Sequence, residues 1–418
     1  MSFGGRTTRA RLLLLLVLVI VPRAAWPQGP LGPEFRVNTH TTSFQWFPAV
    51  TSDSTGNFVV VWHSYFQDGS GAGVFGQRYA ATGAPLGAEF RVNTYTADAQ
   101  FSSDVASDAS GNFVVAWRSG TYVRGDVVAQ RYASTGAPLG SEFRVNSYTT
   151  AAQGAHAVAS DPAGNFVVLW TSQYQDGSGL GVFGQRFANS GAPLGAEFRV
   201  NTYTTDNQLT PSAAYDPAGN VIVVWRSNEQ DGSNYGVFGQ RYDSSGAPLG
   251  SEFRVNTFTT NAQNWPAVTA DAAGNFVVVW QSLTQDGYGI FGQRYAGTGA
   301  PMGPEFRVNT TTTIGGFLPS VVADPSGNFV VAWVTYQQYG SSSDVFGQRY
   351  DSSGAPVGSE FRVNTFTTSA QNRPAVTADA AGNFVVVWQS LQDGDAYGVF
   401  GQRYRQITPA ELMRFGIE

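Results

Sequence analysis

The residues best suited to contacting a ligand stand at one place in a repeating chain, where seven otherwise matching segments differ. Ahead of a short stretch of small residues the segments carry, in turn, Phe47, Ser102, Ala155, Thr210, Trp265, Leu318 and Arg373. The preceding position varies as well, through Trp46, Phe101, Gly154, Leu209, Asn264, Phe317 and Asn372. Diversity at one position against a nearly fixed background fits a tailored central pocket, and equally fits relaxed packing at a channel mouth. Aromatic rings and a guanidinium supply stacking and polar anchoring. The candidate ligand-binding set is therefore Trp46, Phe47, Phe101, His156, Trp265, Phe317 and Arg373.

Catalytic chemistry leaves no motif. The chain has no Cys, which removes thiolate nucleophiles and Cys-based metal sites. Its three His (His40, His63, His156) occupy different repeat positions, and no Gly-x-Ser-x-Gly elbow occurs. Asp98 and Asp104 are non-repeating acids in one loop region, a carboxylate pair of the kind glycoside cleavage uses. Asp68, Asp176, Asp231, Asp286 and Asp393 recur in Asp-Gly turns. Calcium wants six to eight oxygens, and each such loop offers one or two acids, so turn formation explains them better. No catalytic residue, metal site or cofactor is expected.

These residues are positioned by repeats. Glu-Phe-Arg-Val-Asn occurs seven times, with its Phe at Phe35, Phe90, Phe143, Phe198, Phe253, Phe306 and Phe361. Between copies lie an Asp-x-x-Gly-Asn turn, an apolar run closed by Trp (Phe58 to Trp62 is the first), and Val-Phe-Gly-Gln-Arg-Tyr or a variant of it. The apolar run suits a strand buried on both faces, and the flanking alternating segments suit strands nearer an edge. Turn chemistry at Asp53–Gly56, Gln67–Gly69 and Thr82–Gly87 separates them. Four antiparallel strands in about 54 residues is the content of a propeller blade. The chain starts on the Glu-Phe-Arg-Val-Asn strand and its last unit lacks that strand. The expected fold is thus an all-β, seven-bladed β-propeller closed by the N-terminal strand completing the last blade.

Two sets of recurring residues read as scaffold. The seven Trp of the Trp62 type suit inter-blade packing. Fourteen Arg of the Arg36 and Arg78 types match fourteen acids of the Glu34 and Asp53 types, which predicts a repeated ion-pair network.

Residues 34–404 resemble tandem repeats of secreted bacterial proteins that are mostly uncharacterised, and the Asp-x-x-Gly-Asn hairpin resembles the turn of NHL-type propeller repeats. The resemblance implies the fold and no particular activity. The Gly-His and Trp-Asp pairs of WD repeats and the sialidase Asp-box are absent, so sialidase chemistry does not carry over.

Residues 1–25 read as a signal peptide: Arg6, Arg9 and Arg11, then ten apolar residues from Leu12 to Val21, too few to span a bilayer. Residues 26–33 form a linker and 405–418 a tail, whose Pro409-Ala-Glu-Leu412 resembles C-terminal segments of other secreted bacterial proteins. Without residues 1–25 the chain keeps 20 Arg against 30 acids, a net charge of −10. That charge disfavours nucleic acid, and the mature form is expected to be secreted or periplasmic and not membrane-inserted. The leading functional expectation is a non-enzymatic binding module for glycans or cell-surface proteins. The alternatives are a polysaccharide-acting enzyme with acids in the central funnel, and a structural or adhesion repeat.

Overall fold

A computed structural model describes residue 1 and residues 29–121, 124–284, 287–310, 315–336, 342–393 and 396–406; the side chains of Ala155, His156 and Thr284 are outside this set. The signal peptide expected over 1–25 and most of the expected tail lie outside the described residues.

Seven four-stranded antiparallel sheets are formed, each from four strands consecutive in the chain except the last. Blade one runs from an innermost strand, Gln45–Ser52, through Phe58–Tyr65 and Ala72–Tyr79, to a two-residue outer strand, Phe90–Arg91. Blade seven takes its outer strand from the other end of the chain: Phe35 and Arg36 pair with Gly401 and Phe400. The N-terminal strand thus closes the ring, as the order of sequence segments predicts, and two sheet edges disappear.

The second strand of each blade explains the unbroken apolar runs. Val60 and Trp62 pack with Val385, Val387 and Val399 of blade seven, while Val59 and Val61 pack with Val105, Val115 and Trp117 of blade two. Alternate side chains therefore serve opposite neighbours, and both faces must be apolar. Seven such inter-blade cores form, each with one fully buried Trp.

The buried Asn of Glu-Phe-Arg-Val-Asn links blades by hydrogen bonds. Asn201 Oδ1 accepts the Val182 N–H at 2.7 Å. Its Nδ2 donates to Tyr203 O at 2.8 Å and to Gln208 Oε1 at 3.1 Å, on the innermost strand of the next blade. The same N–H acceptance recurs at Asn38, Asn93, Asn146, Asn256, Asn309 and Asn364. The Asp of the Asp-Gly turns holds this Asn, as in Asp68 with Asn93 and Asp231 with Asn256. Blades two and six lack that turn and use Asp126 and Asp344 from another strand for the same bond.

The ion-pair network expected from charge balance is not what the recurring charges build. Glu252 accepts the backbone N–H and the hydroxyl of Thr202, a stitch between adjacent blades. Asp53 folds back on the Thr55 and Asn57 N–H groups of its own turn. Arg131 donates to the Asn189 and Ser190 carbonyls of the next blade. Among the described residues only Arg36–Asp393 and Arg144–Asp126 come within ion-pair distance. Charge balance was a correct count with the wrong partners, because carbonyl and N–H groups at the strand ends also need satisfying.

Replacing Asn201 by Ala removes the acceptor of the Val182 N–H and the donor to Gln208 Oε1 in a buried site. The expected loss is about 2–4 kcal/mol, read as a fall in denaturation midpoint; an unchanged midpoint would contradict the linking role.

Candidate functional site at the bulged mouth of the channel

The variable residues identified in sequence share one backbone irregularity. In blade one, Trp46 pairs with His63 and Ala49 with Val61, so Phe47 and Pro48 together face Trp62. The same register break occurs in the innermost strand of every blade. It is a β-bulge. The Pro that follows in blades one, four, five, six and seven fits it, since a bulge needs one ladder donor fewer.

The bulge residue is left-handed without being glycine. Phe47, Ser102, Thr210, Trp265, Leu318 and Arg373 have φ between +50° and +56°. Such a conformation costs on the order of 1–3 kcal/mol per residue and persists where the surroundings enforce it. Its effect is to turn one side chain out of the strand's normal alternation, at the end of each innermost strand where the connection from the preceding blade arrives.

Three clusters result. At the junction of blades seven and one, the Arg373 guanidinium lies 3.6 Å from the Phe47 ring centre. Phe47 stacks near His63 at 5.2 Å, and Trp46 meets Phe44, Tyr65 and Tyr397 at 4.8, 5.5 and 6.2 Å. At the junction of blades four and five, Arg226 lies between Tyr235 at 4.6 Å and Trp265 at 5.2 Å, and donates to Asn264 Oδ1 at 2.8 Å. In blade six, Phe317 packs on Tyr288 and Tyr336 at 4.8 and 4.9 Å.

Of the residues expected at the site, Phe47 and Arg373 touch, and Trp265 sits four blades on from Trp46 in a cluster of its own. Phe101 is buried beneath the Arg118 guanidinium at 5.2 Å. The His156 side chain lies outside the described residues. Sequence reading missed Arg118, Arg226 and His63. They occupy a second variable position, the residue after each recurring Trp: His63, Arg118, Thr171, Arg226, Gln281, Val334 and Gln389. Each pairs directly with the residue preceding the bulge.

Two titratable groups stand out beside these clusters. Burial, and secondly the Arg373 charge, push the His63 imidazole down to about 3, so it is neutral at ordinary pH. Asp104 follows the bulge of blade two. The equivalent positions are Ala49, Ala157, Ser212, Ala267, Ser320 and Ala375, so Asp104 is the one acid in a ring of seven. Burial pushes its carboxyl up to about 6, against N–H bonds from Val105 and Val158, both 2.9 Å, that favour the charge. Asp98, its proposed partner, is exposed in the preceding connection and makes no hydrogen bond to it. At the other mouth, Asp-x-x-Gly-Asn turns surround a cavity of about 260 Å³ lined by Asp53, Asp108, Asp271, Asp324 and Asp379. Those carboxylates are already engaged by their own turns. Among the described residues no three His, Asp or Glu gather as a metal site.

A closed seven-bladed β-propeller, with a bulged, aromatic mouth on one face, is the class this geometry defines. No protein-family model matches the chain, and no curated protein matches it. Among solved structures it is similar to the β-propeller domain of the Trilobed protease from Pyrococcus furiosus (8% identity, 88% of this chain and 97% of that one, TM-score 0.50). It is also similar to an α-L-arabinanase from Penicillium chrysogenum complexed with arabinobiose (14% identity, 72% and 94%, TM-score 0.50). A third is an α-L-arabinofuranosidase from Fusarium graminearum in complex with an iminosugar inhibitor (11% identity, 90% and 98%, TM-score 0.50).

These neighbours correct the expectation of a non-enzymatic binding module: two of them are enzymes, an arabinanase and an arabinofuranosidase. The error has a physical source. Acids supplied by different blades meet only in space, so a missing linear motif is no argument against catalysis.

The two shifted groups give a pH signature. Asp104 is raised, so its contribution to stability is fully present below pH 3.8 and is lost as pH rises through about 6. His63 is depressed, so its contribution is present above pH 6.5 and is lost as pH falls towards 3. In Asp104→Asn, stability at pH 7 relative to pH 4 should improve over the parent by on the order of 2–3 kcal/mol. Melts at the two pH values check this; an unchanged difference would contradict the buried, raised carboxyl.

Proposed function

We propose that the chain is a polysaccharide-acting enzyme that hydrolyses glycosidic bonds at the bulged mouth, Asp104 giving its proton to the departing sugar oxygen while a water molecule bonds to the anomeric carbon and yields its proton to solvent. The observation that carries this reading is Asp104 itself, a lone carboxyl at one of seven equivalent wall positions with its affinity for a proton raised to about 6. A carboxyl poised there exchanges its proton near neutral pH, which is what departure of a sugar oxygen requires. Its two N–H bonds fix the carboxyl plane and leave further lone-pair positions on both oxygens for the proton.

The remaining residues of the mouth bind. Trp46, Phe47, Trp265 and Phe317 offer ring faces for sugars, and Arg373 offers a charged anchor. The arabinan- and arabinofuranoside-directed neighbours on the same fold support a glycan substrate. Export, expected from residues 1–25, and the likeness of the repeats to secreted bacterial proteins support an extracellular polymer.

The test is release of reducing ends from a panel of neutral and acidic polysaccharides by the full chain and by Asp104→Asn. The parent should degrade at least one polymer, with rate falling as pH rises past about 6. The variant should lose 100-fold or more in kcat while keeping its circular dichroism. A variant as fast as the parent, or no degradation of any polymer, would remove the proposal.

A further inference from the structure

Two arginines at the mouth lack the anion their setting calls for. Arg226 and Arg373 are both partly buried, and among the described residues neither has a carboxylate within ion-pair distance. Arg226 gives one bond to Asn264, while its Nε is buried and unpartnered. Arg373 rests on the Phe47 ring. Burial disfavours both charges, as it does any cation withdrawn from water without a counter-charge. Elsewhere in the ring the recurring Arg131, Arg186, Arg241 and Arg294 donate to carbonyls of the next blade. Arg226 and Arg373 occupy variable positions instead and belong to no such repeat.

Their placement matters as much as their lack of partners. Arg226 stands at the junction of blades four and five, and Arg373 at that of blades seven and one, three junctions apart around a ring of seven. They therefore face the channel mouth from nearly opposite sides. Each is flanked by aromatic rings, Tyr235 and Trp265 in one case and Phe47 in the other. A planar guanidinium edged by ring faces takes a carboxylate through its fork while the rings take the apolar face of the same sugar. The whole chain carries a net charge of −6, so these cations are local exceptions to a field that repels anions.

We infer that the polysaccharide bound at this mouth is a polyuronate, two of whose carboxylates are received by Arg226 and Arg373. The inference rests on the proposed function for the location of the site and adds the chemical class of its substrate. A neutral glycan would stack on the same rings and leave both guanidinium groups unanswered. A carboxylate on each of two well-separated sugar units answers both.

Binding is tested apart from turnover by using full-length Asp104→Asn and titrating polygalacturonate and, separately, neutral arabinan. Polygalacturonate should bind, with affinity falling at least tenfold in Arg226→Gln and in Arg373→Gln made on that background. Its affinity should also fall as salt rises, which needs no further variant and stands even if an Arg variant misfolds. Arabinan should bind weakly and show no response to either change. Equal binding of arabinan and polygalacturonate, salt-independent binding, or a preference for a sulfated polymer over the uronate would overturn the inference. Those outcomes leave the catalytic proposal standing, because that proposal fails only on the turnover measured for the parent and for Asp104→Asn.

Discussion

The ring depends on a buried amide that belongs to two blades at once. Each Asn closing the Glu-Phe-Arg-Val-Asn segment accepts an N–H from the third strand of its own blade, and the Asn of blades seven, one, three and four also donates to the innermost-strand Gln of the blade that follows. Blade cores alone are apolar and slide without directional preference. The Asn fixes their angular position, because an amide displaced from these partners leaves buried polar groups unmatched. The Glu stitch to the next residue of the preceding repeat adds a second fixed point at the rim. Closure through Phe35 and Arg36 makes the constraint cyclic, so no blade can adjust alone.

That rigidity is what allows the mouth to be irregular. Seven bulges line one face, and six of them store strain in left-handed, non-glycine residues. A lone strand would relax such a bulge by sliding its register. Here the following strand is held on both faces by neighbouring cores, and the strain survives. The side chains it turns out are free to differ, and they do: Phe47, Trp265 and Arg373 share a backbone and nothing else. The opposite mouth shows the contrary arrangement, with repeated Asp residues spent on their own turns.

Much of this was legible in the sequence, and the failures are instructive. Repeat spacing, the doubly apolar run and the displaced first strand led to the blade count and the closure. The variable bulge position was visible as variation, although the bulge itself was not, since its usual glycine is absent. Arg226 and His63 follow the recurring Trp, whose repetition marks that stretch as scaffold and hides the variation one residue on. Equal numbers of recurring Arg and recurring acids suggest ion pairs, yet Arg131 and Glu252 bond to backbone groups that composition does not display. Asp104 stands out in sequence as an acid outside the repeat, but its pairing with Asp98 fails because Asp104 lies in the innermost strand of blade two, bonded to the Val158 N–H of blade three, while Asp98 lies in an exposed connection.

No linear motif surrounds Asp104, and the proposal of turnover at the mouth stands on its single, proton-retaining carboxyl. The central claim is that chemistry happens at the bulged mouth beside Asp104. A crystal structure of Asp104→Asn with an oligosaccharide fragment of the polymer the parent degrades tests this directly. The account predicts sugar rings against Trp46 or Trp265 and a glycosidic oxygen within hydrogen-bond distance of residue 104. Sugar bound instead at the Asp-x-x-Gly-Asn mouth, or along the outer strands, would contradict it.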